Sequence, residues 1–139
     1  MTDLLPRATR ILHDVFGYGE FRDGQADIVT HVAGGGDALV LMPTGGGKSL
    51  CYQVPALLRE GVGVVVSPLI ALMQDQVAAL KEAGVRAEFL NSTQDWQQVQ
   101  AIERAARAGE LDLLYMAPER LVTERGLALL DKLTLALFA

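Results

Sequence analysis

The chain has 139 residues, half of them hydrophobic, which is enough for one domain with a sizeable core and too few for two. Its twelve basic and seventeen acidic residues give a formal net charge of -5, with both signs spread evenly, so no basic tail or stripe marks a domain that grips nucleic acid unaided. A single cysteine excludes an internal disulfide and a thiolate zinc cluster, and the absence of signal-peptide and membrane-spanning patterns leads us to expect a reducing, cytoplasmic setting without a membrane partner.

Two amphipathic helices are predicted at the start of the chain. Apolar residues at a spacing of three and four indicate a first helix from Leu4 to near Gly17. A second helix is expected from about Asp23 to Ala33, because three consecutive glycines follow it and end it.

A glycine-rich segment follows the apolar run from Ala38 to Met42 and precedes a helix-compatible run. This is the layout of a nucleoside-triphosphate phosphate loop, whose backbone N–H groups cradle phosphate oxygens at the positive end of a helix. Lys48 is expected to reach the β and γ phosphates as the catalytic lysine, and the Ser49 hydroxyl is the expected Mg²⁺ ligand. The predicted cofactor-binding residues of this loop are Thr44, Gly45, Gly46, Gly47, Lys48 and Ser49.

The loop departs from the strict pattern at one position, because Met42 stands where that pattern has a glycine. The alternative interpretation is a glycine-rich turn with an incidental lysine. The agreement of strand, loop, Lys-Ser pair and helix favours the phosphate loop. In the helix that follows, Pro55 removes a backbone donor, so we predict that the regular geometry kinks or ends near Val54.

Strands and helices alternate over the rest of the chain. Ser67-Pro68 is expected to cap and start a helix whose apolar stripe is Leu69, Leu72, Met73, Val77 and Leu80. A later helix is expected from about Asp95 to Ala108. The predicted strands and the last apolar run are Val62–Val66, Ala87–Leu90, Leu111–Met116 and Leu133–Ala139. This alternation predicts an α/β fold with a mainly parallel sheet, helices on both faces, and ligand sites at the carboxyl edge of the strands.

Four peptides resemble, in order and spacing, the motifs of the first motor lobe of RecQ-family DNA helicases. The peptides are Phe16–Gln25, Met42–Gln53, Val65–Gln76 and Tyr115–Leu121. The resemblance covers nearly the whole chain and implies a RecA-like P-loop NTPase lobe. It implies an N-terminal helical segment with an adenine-binding motif at residues 1–34 and a partial ATP-binding lobe at residues 35–139, together one globular unit.

The resemblance also implies an activity. Members of this family are ATP-driven motors, with ATP and Mg²⁺ as cofactors, that move 3′ to 5′ along single-stranded DNA and separate duplex DNA. A role in DNA repair and recombination, in the bacterial cytoplasm or nucleoid, is the corresponding expectation. The usual guanine-reading pattern, Asn-Lys-x-Asp, does not occur in the chain, and its absence favours ATP over GTP.

The adenine-binding residues that the resemblance implies can also be argued from their chemistry. The Gln25 carboxamide can donate one hydrogen bond to adenine and accept another. Tyr18 and Arg22 offer flat faces that can stack on the base. The alternative for Tyr18 is that it simply anchors the first helix.

Candidate DNA contacts follow the predicted strands. Ser67 and Arg120 lie near expected helix starts, where a phosphate is readily bound, and Asn91 and Ser92 follow another strand. The alternatives are an ordinary helix cap for Ser67 and a surface ion pair for Arg120. Trp96 could stack on a base, although partial burial against the sheet is the more ordinary interpretation.

The family pattern extends beyond residue 139, to an acidic Mg²⁺-binding motif after the last strand and to a second motor lobe. We therefore expect this chain by itself to hold nucleotide without unwinding DNA. Two other functions remain open at this stage. One is another P-loop ATPase or a small-molecule P-loop kinase, and the other is a non-catalytic module that binds nucleotide or DNA.

Overall fold

The computed structural model describes residues 4–22, 24–38 and 48–139. The chain forms two compact units, Met1–Arg59 and Glu60–Ala139, whereas the predicted boundary lies at residues 34 and 35. Of the predicted strand at Ala38–Met42, only Ala38 is among the described residues. The phosphate loop up to residue 47 lies outside them. No helix in the described part of the chain is long and apolar enough to cross a membrane.

The described part of the first unit contains three helices, α1 (Leu4–Asp14), α2 (Gln25–Ala33) and α3 (Leu50–Leu58). One buried residue from each helix forms its core, with partly buried apolar side chains around them. The three core residues are Ala8, Val29 and Val54. Because α3 packs on both other helices, it belongs to this unit.

We predict that the helix kinks or ends near Val54; it does not end there, because α3 runs through Pro55 to Leu58. Proline removes one backbone donor, but buried neighbours hold the segment in place, and Arg59 N–H donates to the Pro55 carbonyl at 3.1 Å. The same helix carries Cys51, the single cysteine of the chain. Burial raises the pKa of the Cys51 thiol.

The second unit contains a sheet of four parallel strands in the order β2-β3-β1-β4. Its elements in chain order are β1 (Val62–Val66), α4 (Ile70–Glu82), β2 (Ala87–Leu90), α5 (Trp96–Arg107), β3 (Leu113–Met116), α6 (Pro118–Leu121), α7 (Glu124–Asp131) and β4 (Leu135–Phe138). The predicted α/β class with a parallel sheet is confirmed.

Helices cover both faces of this sheet, as the alternation of side chains along β3 shows. Leu114 and Met116 point into a buried cluster that includes Ile102 of α5 and Leu129 of α7. Tyr115 points to the opposite face, where its hydroxyl donates to Gln76 of α4 at 2.7 Å. Helix α4 therefore lies on one face, and α5 and α7 lie on the other.

Helix α4 begins later than predicted. Its first residue is Ile70, and Ser67 does not cap it, because the Ser67 hydroxyl accepts the Leu69 N–H at 3.2 Å in a local turn. Leu69 thus precedes the helix and is 57% exposed, and Leu72 is 44% exposed. The buried stripe of α4 consists of Met73, Val77 and Leu80.

Candidate functional site

A tight turn before α2 brings Arg22 and Gln25 together. Gly24 has a φ of 82°, a conformation that favours glycine, and Gln25 N–H donates to the Arg22 carbonyl at 3.0 Å. In return, the Arg22 N–H donates to the Gln25 side-chain oxygen at 2.7 Å. The two bonds link these predicted adenine-binding residues and orient the Gln25 carboxamide.

Gln25 is almost completely buried, with 1% of its surface exposed. A glutamine oxygen has two lone pairs, and the Arg22 N–H uses one of them. An adenine contact in which the carboxamide oxygen accepts would therefore have to share this oxygen with the Arg22 N–H or replace that bond. The assignment of Gln25 as the adenine reader stays a prediction.

The residues predicted to stack on the base lie on the surface of the α1–α2 connection. Gly17, with a φ of 77°, reverses the chain after α1, and its N–H donates to the His13 carbonyl at 3.1 Å. Tyr18 follows immediately and is 52% exposed, and Arg22 is exposed as well. Because half of the Tyr18 surface is accessible, its ring has area available for stacking on a base.

Lys48 and Ser49 occupy the beginning of α3, as the phosphate-loop pattern requires. Ser49 is the N-cap residue, and its carbonyl accepts the Gln53 N–H at 2.9 Å. Its hydroxyl makes no capping bond to the described part of α3. Lys48 is exposed and forms no ion pair with the described residues. The other predicted phosphate-binding residues, Thr44, Gly45, Gly46 and Gly47, lie outside the described residues.

These two residues fit a triphosphate with its cation. The α3 N-terminus supplies a positive dipole end, and Lys48 adds a full charge next to it. A serine hydroxyl is a suitable oxygen ligand for Mg²⁺.

The second unit presents its predicted polar residues along the carboxyl edge of the sheet. Backbone bonds tie the strand ends together: Ser67 N–H donates to the Met116 carbonyl and Ala117 N–H donates to the Leu90 carbonyl, both at 3.1 Å. The Arg120 guanidinium donates to the Asn91 carbonyl at 3.3 Å. The segments after β1, β2 and β3 therefore form one continuous edge.

Asn91 is fully buried, which argues against a direct DNA contact by its side chain. The Asn91 side-chain oxygen accepts the Thr93 N–H at 2.9 Å and the Thr93 hydroxyl at 2.6 Å. Its amide nitrogen lies 3.5 Å from the Met73 sulfur. We therefore revise the role of Asn91 from contacting DNA to holding the loop after β2.

The other three DNA candidates keep accessible surface. Ser92 is exposed, and Ser67 and Arg120 are partly exposed. The surface ion pair considered for Arg120 is not found within the described residues, where its guanidinium bonds a backbone carbonyl instead. DNA binding by these residues stays a prediction.

Sequence reasoning missed a cluster on α5 and α7. Arg125 forms two hydrogen bonds to the buried carboxylate of Glu103, one of them 2.9 Å long, and these bonds raise the pKa of Arg125. The Arg125 guanidinium also lies 4.2 Å from the centre of the Trp96 ring. Trp96 is 55% exposed and packs against this arginine. The partners are far apart in the chain, and no local spacing could have indicated them.

Comparison with known proteins shows the family to which the chain belongs. A family model described as "DEAD/DEAH box helicase" matches residues 22–137. The chain is 49% identical over 118 residues to the ATP-dependent DNA helicase RecQ of Haemophilus influenzae, which covers 85% of this chain and 19% of that protein. It is 43% identical over 137 residues to the protein of the same name in Bacillus subtilis, which covers 98% of this chain and 23% of that protein.

A eukaryotic relative shows the same similarity. The chain is 45% identical over 133 residues to the ATP-dependent helicase wrn-1 of Caenorhabditis elegans, which covers 94% of this chain and 12% of that protein. The chain thus spans a quarter or less of the length of these relatives. Since the family model matches most of its residues, the chain belongs to the DEAD/DEAH box helicase family.

Proposed function

We propose that this chain is the ATP-binding portion of an ATP-dependent DNA helicase that moves 3′ to 5′ along single-stranded DNA. The observation that carries the proposal is the position of Lys48 and Ser49 at the N-terminus of α3, with the Arg22–Gln25 turn in the same compact unit. The names of the relatives support ATP as the nucleotide and DNA as the substrate.

Each predicted nucleotide-binding residue has a separate task. Lys48 would hold the β and γ phosphates, and Ser49 would hold Mg²⁺. Bound Mg²⁺ would neutralise charge on the two terminal phosphates. Tyr18 and Arg22 would stack on the adenine ring, and Gln25 would bind its edge.

DNA would cross the carboxyl edge of the sheet, where Ser67, Ser92 and Arg120 can contact phosphates. Such contacts position a strand without reading its sequence. Unwinding would need the second motor lobe that we propose as a partner in the parent protein, so we expect no unwinding by this chain alone. Action in DNA repair or recombination, within the bacterial cytoplasm or nucleoid, belongs to the same proposal.

Nucleotide binding provides the direct test. Lys48→Ala removes the charge nearest the phosphates, and we expect it to weaken Mg-ATP binding by at least about tenfold, or about 1.4 kcal/mol. Isothermal titration calorimetry with the purified chain measures this change. Lys81→Ala is the matched control, because Lys81 is a lysine paired with Glu88 on the surface of the other unit. Equal affinities of the wild-type and Lys48→Ala proteins for Mg-ATP would exclude the assignment.

A further inference from the structure

A cavity of about 170 Å³ opens between α5 and α7, on the sheet face opposite α4. It is bounded by Glu103 and Arg107 from α5 and by Arg125 and Leu129 from α7, with Lys132 just beyond the end of α7. None of these residues belongs to the proposed nucleotide site or to the carboxyl edge of the sheet. The cavity therefore shares no lining residue with either.

The charges around the cavity favour an anionic ligand. Among the described residues of the lining Glu103 is the one carboxylate, and Arg125 already neutralises it. Arg107 and Lys132 have no carboxylate partner among the described residues. The lining thus has an excess of two positive charges, although the chain as a whole is acidic. A phosphate group has the charge and the hydrogen-bond acceptors to bind between the two cations.

Trp96 adds an aromatic surface beside one of the lining residues. Its ring packs against Arg125, which lines the cavity, and more than half of its surface is exposed. Trp96 and Arg107 are separated by about 16 Å along α5, at 1.5 Å per helical residue. An aromatic ring followed by cations along a groove is the arrangement that binds single-stranded nucleic acid through base stacking and phosphate contacts.

The position of Trp96 connects this groove to the carboxyl edge. Helix α5 starts at Trp96, four residues after the exposed Ser92, and its N-terminus lies at the end of the sheet where the strands finish. A strand that leaves the edge at Ser92 therefore meets Trp96 before it reaches Arg107 and Lys132.

We propose that the α5–α7 groove, with Trp96, Arg107 and Lys132, is an additional binding surface for single-stranded DNA. The inference rests on the proposed function in taking DNA as the strand. It differs from that proposal in placing a contact on the side of the sheet rather than at its carboxyl edge.

Trp96 is the single tryptophan of the chain, so its fluorescence reports on this groove directly. Oligothymidylate should quench Trp96 in a saturable manner in nucleotide-free, low-salt buffer. The double variant Arg107→Ala/Lys132→Ala should weaken this binding at least about tenfold, and the slope of log K against log salt should shrink by about 1.4, at about 0.7 per phosphate contact. Arg107→Lys/Lys132→Arg, which keeps both charges, should restore most of the affinity.

The matched control is Arg10→Ala/Arg104→Ala, which removes two exposed arginines that do not line the cavity. We expect its affinity to stay within about threefold of wild type, a small loss typical of changes in overall charge. Equal losses in the two double variants would overturn the proposal, as would oligothymidylate binding, seen by anisotropy, that leaves Trp96 fluorescence unchanged.

Two further measurements distinguish DNA binding in the groove from binding of a free anion and from binding at the nucleotide site. Inorganic phosphate that saturates the groove while oligothymidylate does not would show a site for a free anion and overturn the DNA assignment. Lys48→Ala should leave the quenching of Trp96 unchanged, because it alters only the nucleotide site. A failure of the ATP-binding proposal and a failure of the DNA-binding proposal for the groove are thus detected by different measurements.

Discussion

At the level of single residues, Gln25 combines a structural bond with a predicted contact to the nucleotide. The motif around Gln25 predicts adenine recognition. The sequence could not show that the side chain is buried, because burial depends on how the turn and α2 pack in the first unit. In the structure the Gln25 oxygen satisfies the Arg22 N–H. Loss of this side chain should therefore affect both folding and binding.

We expect Gln25→Ala to lower the free energy of unfolding by about 1–3 kcal/mol, because it leaves the Arg22 N–H without its acceptor. It should also weaken ATP binding more than GTP binding, since the lost contacts are to the base. Urea unfolding and calorimetry measure the two effects. Gln97→Ala, at an exposed position, is the control and should change neither. A variant with normal stability and normal ATP affinity would contradict both roles.

Asn91 shows the limit of residue-level prediction in another way. The sequence correctly predicts that Asn91 follows a strand. A polar residue in a loop, however, can face a ligand or the loop itself. The Asn91 side chain bonds Thr93 within the loop and contacts Met73, which lies on a different element, so it faces the loop. Such a long-range partner leaves no local signal in the sequence.

At the level of elements, helices and strands were predictable and their ends were less so. Hydrophobic periodicity indicated α5 correctly, and Asp95 with Gln98 forms the reciprocal capping pair that begins it. Local rules misjudged Pro55 and the start of α4, because burial held α3 together and a turn at Ser67 delayed α4.

The start of β1 depends on a close approach that only glycine permits. Gly61 has a φ of 104°, and an added Cβ would clash with the backbone of Thr134 just before β4. Val62 N–H donates to the carbonyl of the same Thr134 at 2.9 Å. Gly61 therefore allows β1 and β4 to pair at their beginnings.

We expect Gly61→Ala to lower the free energy of unfolding by about 3 kcal/mol or more, from backbone strain together with the clash. Gly109→Ala is the matched control, because Gly109 also has a positive φ, 76°, but has open space where a Cβ would lie. Its loss should be about 1–2 kcal/mol, the cost of the left-handed conformation alone. Urea denaturation of the two variants measures the difference, and equal losses would show that the approach to Thr134 is unimportant.

At the level of the whole molecule, the alternation of elements predicted the parallel sheet, but the sequence did not indicate the order of its strands. The strand order places β3 between β1 and β2, although β3 follows both in the chain. Strand order depends on pairings between distant segments, and a hydrophobic run does not indicate which other strand it pairs with. The division into two units likewise follows from packing rather than from any linker in the sequence.

Mg-ATP should protect the first unit of the molecule in a measurable way. The thiolate is the reactive form of cysteine, so a buried Cys51 with a raised pKa should react with a thiol reagent only when the unit opens. A ligand at Lys48 and Ser49 stabilises the closed form, and at 100 times its dissociation constant it should slow labelling by about 100-fold. At the same Mg-ATP concentration the Lys48→Ala protein, with at least about tenfold weaker binding, should keep about tenfold protection or less. Unchanged labelling of the wild-type protein at saturating Mg-ATP would contradict the prediction.

The distribution of Cys51 and Trp96 has a practical consequence. The chain has one cysteine and one tryptophan, and each compact unit contains one of them. Thiol labelling thus reports the opening of one unit, and tryptophan emission reports the other, in the same unmodified protein. Any coupling between nucleotide and DNA can then be measured as the effect of each ligand on the probe in the other unit, without an introduced label.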